Sequence, residues 1–432
     1  MIWRAVGAAA LGVLATAAAS PLFAAGFGLF EQGAKASGMG GAFTAQADDP
    51  SALFFNAGGV AFFDHTAYQI GGTYIYEANA SFKGANPFPG VGYSADRKTL
   101  STGFPHLYWV QPINSTWKFG LGIESPFGLT TEWKNPDQFA GRFLSTKASL
   151  LDIDINPTIG WQITPTFGIG AGFVARFSTI ELDRNAPAIN PFTLSTIDVA
   201  HVKLKGDVSE GYGFNVGILN RYNNSFSWGL SYRSPITVNY SGHADLSQIS
   251  TGNAGLDAVI AARTPFGRHS VKTSLKYPDL ASLGLAFALT SNLVLETDVN
   301  WAGWTHFKEV PITFTDGKLP NSTIIERWKD SWNYRAGLRW TTSPAWQWRL
   351  GYIFDKNPQP EQTVNPLLPD ADRNGFTVGV GHHGGKFSTD LAVLYIAFKD
   401  RTRAKSFADD PQGPFFGTYM TKAWLVDLSV GF

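Results

Sequence analysis

Few residues of this 432-residue chain are arranged for making or breaking bonds. The run "DADRNGFTVGVG" begins as a calcium loop would, with Asp370, Asp372 and Asn374 ahead of Gly375. Its twelfth position is Gly381 where such a loop needs a bidentate Glu, so a turn leading into a strand is expected instead. His382 and His383 are adjacent, and neighbouring strand residues point to opposite faces, so they do not make a metal pair. Neither a G-x-S-x-G elbow nor a phosphate loop occurs. What remains is non-covalent chemistry. Arg176 stands on the polar parity of "FGIGAGFVARF" and could hold a carboxylate; the bland alternative is an ion pair with Glu181, Glu296, Asp298 or Glu326. Phe88, Phe127, Leu129, Trp133 and Phe139 lie in two long polar segments, where exposed apolar groups are costly unless they meet each other or a greasy ligand. Capture of such a ligand is the expectation.

The elements that must position these residues follow from composition and period. Hydrophobic residues make up 44% and charged residues only 16%, with 46 Gly, 33 Phe, 14 Trp and 14 Tyr. Lys+Arg and Asp+Glu both total 34, so no net field draws nucleic acid. Zero Cys excludes disulfides and thiolate metal sites. Beyond the N-terminus, no apolar run reaches the roughly 20 residues of a spanning helix. Instead the chain alternates with a period of two. In "AWQWRLGYIFD" (345–355), Trp346, Trp348, Leu350, Tyr352 and Phe354 take one parity, and Gln347, Arg349, Gly351 and Asp355 the other. Tight links at 111–116, 163–166, 222–225, 290–292, 341–345 and 382–386 alternate with long polar segments near 77–102, 125–146, 182–209, 242–279, 306–330, 355–373 and 400–421. Short turns on one side and long loops on the other characterise outer-membrane barrels. A soluble sandwich would also alternate, but not with that rhythm of connections.

The pattern predicts an all-β fold, a transmembrane antiparallel β-barrel of about 14 strands. The strands centre near 68–76, 103–111, 117–124, 147–162, 167–181, 210–222, 226–241, 281–290, 293–304, 332–341, 346–354, 375–382, 386–399 and 422–432. In hydrocarbon every backbone amide must be paired, which a closed barrel achieves and an open sheet does not. Placing Arg349 on the lipid face at mid-depth would cost roughly 2–4 kcal/mol, which fixes the register with the rings outward. The last strand ends on Phe432, resembling the signal read by the barrel-assembly machinery, an expected partner during insertion. Residues 1–24, with Arg4 ahead of an Ala/Leu/Val core, read as a secretory signal peptide. The following segment, 25–65, is rich in Gly, Ala and Ser, yet carries many Phe and Leu, and is too small for its own core. Folded into the lumen it would act as a plug, leaving 66–432 as the barrel.

That segment resembles the N-terminal hatch of the long-chain fatty acid outer-membrane transporters, whose relatives include aromatic-hydrocarbon uptake channels. The matching motifs are "AGFGLFE" with Phe27, Leu29 and Glu31, "SGMGGAF" with Gly38 and Gly40, and "ADDPSALFFN" ending at Asn56. "SPFGLTTEW", "DINPTIGWQI", "GIGAGFVAR", "WGLSYRSPI", "WKDSWNYRAGLRW" and "LPDADRNGFTVGVG" match further on in the same order, so the resemblance spans the chain after residue 24. One departure stands out: Asn56-Ala57-Gly58 replaces the family's Asn-Pro-Ala, which frees the backbone and puts any borrowed hatch movement in question.

The resemblance implies passive uptake of hydrophobic compounds, long-chain fatty acids first and aromatic or alkane hydrocarbons as the alternative. An outer-membrane lipid hydrolase and a general porin are minor readings, and no enzyme activity or cofactor is expected. Arg176 matches a head-group arginine of the family, and a second family cation falls where this chain has Ile324, leaving Arg327 and Lys329 nearby as substitutes. Release is implied through the barrel wall, and Pro126 with Gly128, after the strand "WKFGLGIE", would interrupt the ladder there. Substrate contacts are thus expected at Arg176, Lys329, Arg327, Phe127, Leu129 and Trp133. The expected partners are the hydrophobic substrate and outer-membrane lipid of a Gram-negative bacterium, with the protein acting as a monomer and without nucleic acid.

Overall fold

The computed structural model describes residues 26–408, 410 and 413–432; the expected signal peptide, 1–24, lies outside the described residues. Fourteen strands form the wall. They are β1 (Ala67–Glu77), β2 (Leu100–Pro112), β3 (Trp117–Glu124), β4 (Lys147–Gln162), β5 (Phe167–Ile189), β6 (Ser209–Asn223) and β7 (Phe226–Arg233), followed by β8 (Leu280–Thr290), β9 (Leu293–Ala302), β10 (Ser331–Ser343), β11 (Trp346–Asp355), β12 (Arg373–Gly384), β13 (Phe387–Phe398) and β14 (Lys422–Gly431). Each pairs antiparallel with its neighbours, and β14 returns to β1, with Tyr74 opposite Val426. Apart from a local interruption between β2 and β3, the ladder is therefore closed and leaves no lateral edge unpaired in lipid.

Alternation decides which side each residue faces. On β11, Trp346, Trp348, Leu350 and Tyr352 are exposed to the surroundings, whereas Arg349 is buried inside and bonded to Asp390 at 2.7 Å. On β14, Trp424, Val426 and Leu428 point out, and Ala423, Leu425, Asp427 and Ser429 point in. Rings outward and charge inward is the register that hydrocarbon imposes.

Two features depart from the strand pattern expected of the sequence. The stretch 226–241 is not one strand: β7 ends at Arg233 and a separate strand, Ile236–Gln248, begins after Ser234-Pro235, where Pro235 has no N–H to offer the ladder. The long polar segments are also largely structured. Thr196–Gly206, Ile236–Gln248, Gly267–Tyr277, Glu309–Phe314 and Ser322–Ile325 carry the wall outward, and Ser81–Gly84, Ser94–Asp96, Arg401–Arg403 and Gly417–Met420 form a separate four-stranded sheet.

Residues 26–62 are almost entirely buried and fill the lumen. Wall side chains satisfy their backbone. Asp298 accepts from the N–H groups of Phe43 and Thr44, both at 3.0 Å, and Glu296 accepts from that of Ala45 at 2.6 Å. Ser37 donates to Asp427 at 2.6 Å, while Thr377 donates to the carbonyl of Gly38 and Arg335 to that of Gly40. Gly40 has φ +68°, a left-handed value that favours glycine. The wall is hollowed to receive this segment. A Cβ on Gly170 would lie 2.0 Å from the carbonyl oxygen of Ala57, and one on Gly217 would lie 2.1 Å from Oδ1 of Asn56.

Candidate functional site

Above the lumen, towards the long-loop end, inward apolar side chains from distant parts of the chain surround a cavity. Leu129, Ala148, Leu150, Leu182, Val271 and Ile312 are representative of its lining. Each comes from a strand that continues the wall outward, so the period that turns rings to lipid lower down turns these aliphatic groups inward here. Phe27 is at its edge, packed against Trp304 at 4.7 Å, Phe307 at 5.5 Å and Phe127 at 5.8 Å between ring centroids.

Among the described residues, the cavity has one deeply buried carboxyl, alongside the buried phenol of Tyr240 and the more exposed Glu181 and Lys205. Glu326 lies in the segment between β9 and β10, and its carboxyl accepts from Nε1 of Trp328 at 2.7 Å and Nδ2 of Asn365 at 3.3 Å. Burial pushes its pKa up to about 7, against the opposing pull of those bonds, of Gln359 and of Arg403. A buried carboxyl raised above its unfolded value near 4.5 makes the native state hold the extra proton. Stability is therefore expected to fall as pH rises from about 4.5 to about 7, by at most on the order of 3 kcal/mol. A pH series of unfolding temperatures checks this: the slope should flatten in Glu326→Gln, and a slope unchanged by that replacement would refute the assignment.

Below the cavity the wall is interrupted. Pairing of β2 with β3 stops at Leu107 opposite Ile123 and resumes only where Lys98 N–H meets the carbonyl of Glu132 at 2.7 Å. Between those points β2 has no partner on this side among the described residues. The facing chain pairs with β4 at Glu124 opposite Asp154 and again at Gly128 opposite Leu151, so Ser125–Phe127 hold one residue more than their partner and bulge. Residues 27–29 take the vacant edge. The N–H of Leu29 donates to the carbonyl of Pro126 at 2.7 Å, that of Gly128 to the carbonyl of Phe27 at 2.9 Å, and the Gln32 amide donates to the Ser125 carbonyl at 2.7 Å. Pro126 and Gly128 thus sit at the gap, and Phe27 and Leu29 close it.

The remaining sequence-selected residues divide. Glu31 is buried, with its carbonyl accepting from Thr73, and Asn56 bonds the carbonyls of Thr44 and Ile218 at 2.7 and 2.9 Å while accepting from Gly58. Gly38 lies against Gly379, where a Cβ would reach its Cα at 3.0 Å. Leu129 lines the cavity, and Phe127 lies beside it in the ring cluster. Trp133 does neither: it stacks on Phe139 at 4.2 Å and packs with Phe82 and Tyr419, the mutual packing that was the alternative to capture. Arg327 and Lys329 are exposed and do not line the cavity, whereas Ile324 does.

Arg176 faces inward, but its partner is Asp154, not any of the four acids considered from the sequence. Nε and Nη2 each reach that carboxylate at 2.8 Å, Asp152 is 3.7 Å away, and the rings of Phe127 and Tyr277 cover the guanidinium at 4.6 and 4.4 Å. Replacing Arg176 with Ala is expected to cost about 3–5 kcal/mol, because it strands Asp154 and Asp152 uncompensated. The unfolding temperature of the purified barrel reads this out. Loss of acid capture at unchanged stability would instead give Arg176 a direct ligand role.

A closed fourteen-strand wall with charge inside and rings outside defines a membrane-spanning barrel, and its inward side chains bond residues 37–45. The chain belongs to the outer membrane protein transport protein family (OMPP1/FadL/TodX), whose model matches residues 15–432. It is an outer-membrane protein. Over 450 residues it is 24% identical to a long-chain fatty acid transport protein of Escherichia coli O6:H1, covering 96% of both chains. It is 26% identical over 404 residues to the 47 kDa outer membrane protein of Pasteurella multocida, covering 89% of this chain and 88% of the other. Two solved structures share the fold. A Pseudomonas aeruginosa FadL homologue superposes with a TM-score of 0.80 at 21% identity, covering 94% of this chain and 99% of that one. The Pseudomonas putida toluene transporter TodX superposes at 0.73 with 17% identity, covering 93% and 99%.

Proposed function

We propose that this protein admits hydrophobic compounds from outside the cell and passes them sideways through its wall into the outer membrane, without an energy source, as a channel and not an enzyme. The observation that carries this is the sequence of spaces: an apolar cavity, a cage of rings around Phe27, and a gap in the ladder that residues 27–29 and the Gln32 side chain close. Each CH₂ withdrawn from water is worth about 0.8 kcal/mol, so a long apolar chain favours a greasy route over an aqueous one. The segment 26–62 acts as the hatch, and the gap beside Pro126 and Gly128 is the exit.

Long-chain fatty acids are the first substrate class, in keeping with the relatives that bear that name. Neutral aromatic hydrocarbons are the second, and one observation favours them: the deeply buried carboxyl of the cavity, Glu326, offers no counter-charge to an acid, and Arg176 is already paired. Bacteria lacking their own uptake channel, given this chain, should gain growth on oleate as sole carbon source. Gain with toluene but not oleate would select the second class, and gain with neither would refute uptake.

A further inference from the structure

A second opening lies outside the cavity, bordered by Phe143, Leu144, Pro187, Ile324, Asn365 and Leu367. Arg184, on the outward continuation of β5 where it faces Val202 of the strand Thr196–Gly206, also borders it. Among the described residues its guanidinium has no hydrogen-bond or ion-pair partner, and its side chain is only partly exposed. The nearby charges are taken up elsewhere. Asp198 is held by both arms of Arg142 at 2.7 and 2.9 Å, and Asp183 belongs with Lys203 at 3.9 Å. The groove is also bordered by Asn321, Ser322 and Thr323, which carry no charge, so a half-buried cation here lacks a counter-charge that an anionic ligand would supply.

Two residues make this groove more than a surface dent. Ile324 and Leu367 border both the groove and the apolar cavity, so the two spaces adjoin across them. Asn365 borders the groove and donates to Glu326, which faces the cavity. A cation therefore stands at the outer space and an acid at the inner one.

We infer that Arg184 is the head-group site for an amphiphilic carboxylate, which binds with its charge in the groove and its apolar tail passing Ile324 and Leu367 into the cavity. This rests on the uptake reading above and gives it an orientation. The tail, which needs no polar partner, enters the apolar inner space first.

The test is equilibrium binding to the purified full-length protein in detergent, with palmitate and 1-hexadecanol as probes of equal chain length. Arg184→Gln should weaken palmitate by roughly ten- to a hundred-fold, the range of a lost charge-assisted bond, and leave hexadecanol unchanged. Arg184→Lys should restore part of the palmitate affinity, and raised salt should weaken palmitate in the unaltered protein alone. Unchanged palmitate binding in Arg184→Gln, or equal weakening of both probes, overturns the site while leaving uptake standing. Failure of the unaltered protein to bind either probe overturns uptake itself.

Discussion

Gly170→Ala is expected to turn a closed lumen into a conducting one. The added methyl would lie 2.0 Å from the carbonyl oxygen of Ala57 and 2.4 Å from its carbon, and both are backbone atoms that cannot rotate aside as a side chain could. The turn Ala57–Phe62 that carries this carbonyl is anchored by Asn56, whose side chain bonds two carbonyls and one N–H. Overpacking of this kind costs typically 1–3 kcal/mol, and here it falls on the seat of the hatch, since the ladder of β5 runs through its backbone and not through position 170's side chain. The barrel should therefore still form and keep its heat-dependent shift in gel migration. Planar-bilayer recordings should show ion conductance rising at least several-fold over the unaltered protein, with residues around 57–62 newly open to protease. Silent bilayers with protease resistance intact would show that the turn is not held by the wall at this point.

The same glycine shows what a sequence can reveal and what it conceals. The alternation that sets Gly168, Gly170 and Gly172 against Phe167, Ile169 and Phe173 is imposed by lipid, one residue at a time, so all fourteen wall strands could be placed from it. Why position 170 is glycine could not be read, because the reason is a backbone more than a hundred residues earlier in the chain. The outer strands were hidden for a different reason. Thr196–Gly206 and Gly267–Tyr277 do alternate, Val202 and Leu204 against Lys203 and Lys205, and Val271 and Leu275 against Lys272 and Lys276, but each lies inside a long polar segment between wall strands and so reads as loop. Pro235, by contrast, was visible and would have divided 226–241 had its missing N–H been weighed.

The site was legible only where it touched the interruption of the wall. Phe27, Phe127, Leu129 and Pro126 stand in motifs of recognisable type, and the structure gathers them. Leu150, Leu182, Val271 and Ile312 were out of reach, since each is an ordinary aliphatic residue made special only by the curvature that brings four separate segments together. The partner of Arg176 was recoverable. A tight hairpin turning at Pro165 places position 154 opposite position 176, and Asp154 is the acid found there.

Locking residue 28 to residue 127 is expected to abolish transport while sparing binding. Gly28 and Phe127 face each other in an antiparallel bridge, a geometry whose Cβ separation suits a disulfide, and the chain has no cysteine of its own to compete. In the double variant Gly28→Cys with Phe127→Cys, oxidation fixes the short strand of the hatch on the bulge at Ser125–Phe127. The bonds from Leu29 to Pro126 and from Gly128 to Phe27 can then no longer part, and the cavity above them keeps no way to the gap in the wall. Oleate uptake by cells carrying the oxidised protein should drop at least tenfold and return on reduction, while palmitate affinity of the purified protein stays the same in both states. Phe127→Cys alone is the control for losing a ring from the cluster around Phe27 and from the cover over Arg176. Undiminished uptake by the oxidised double variant would mean that ligands leave by a path residues 27–29 do not guard, and the gap beside Pro126 would then be a structural bulge and no exit.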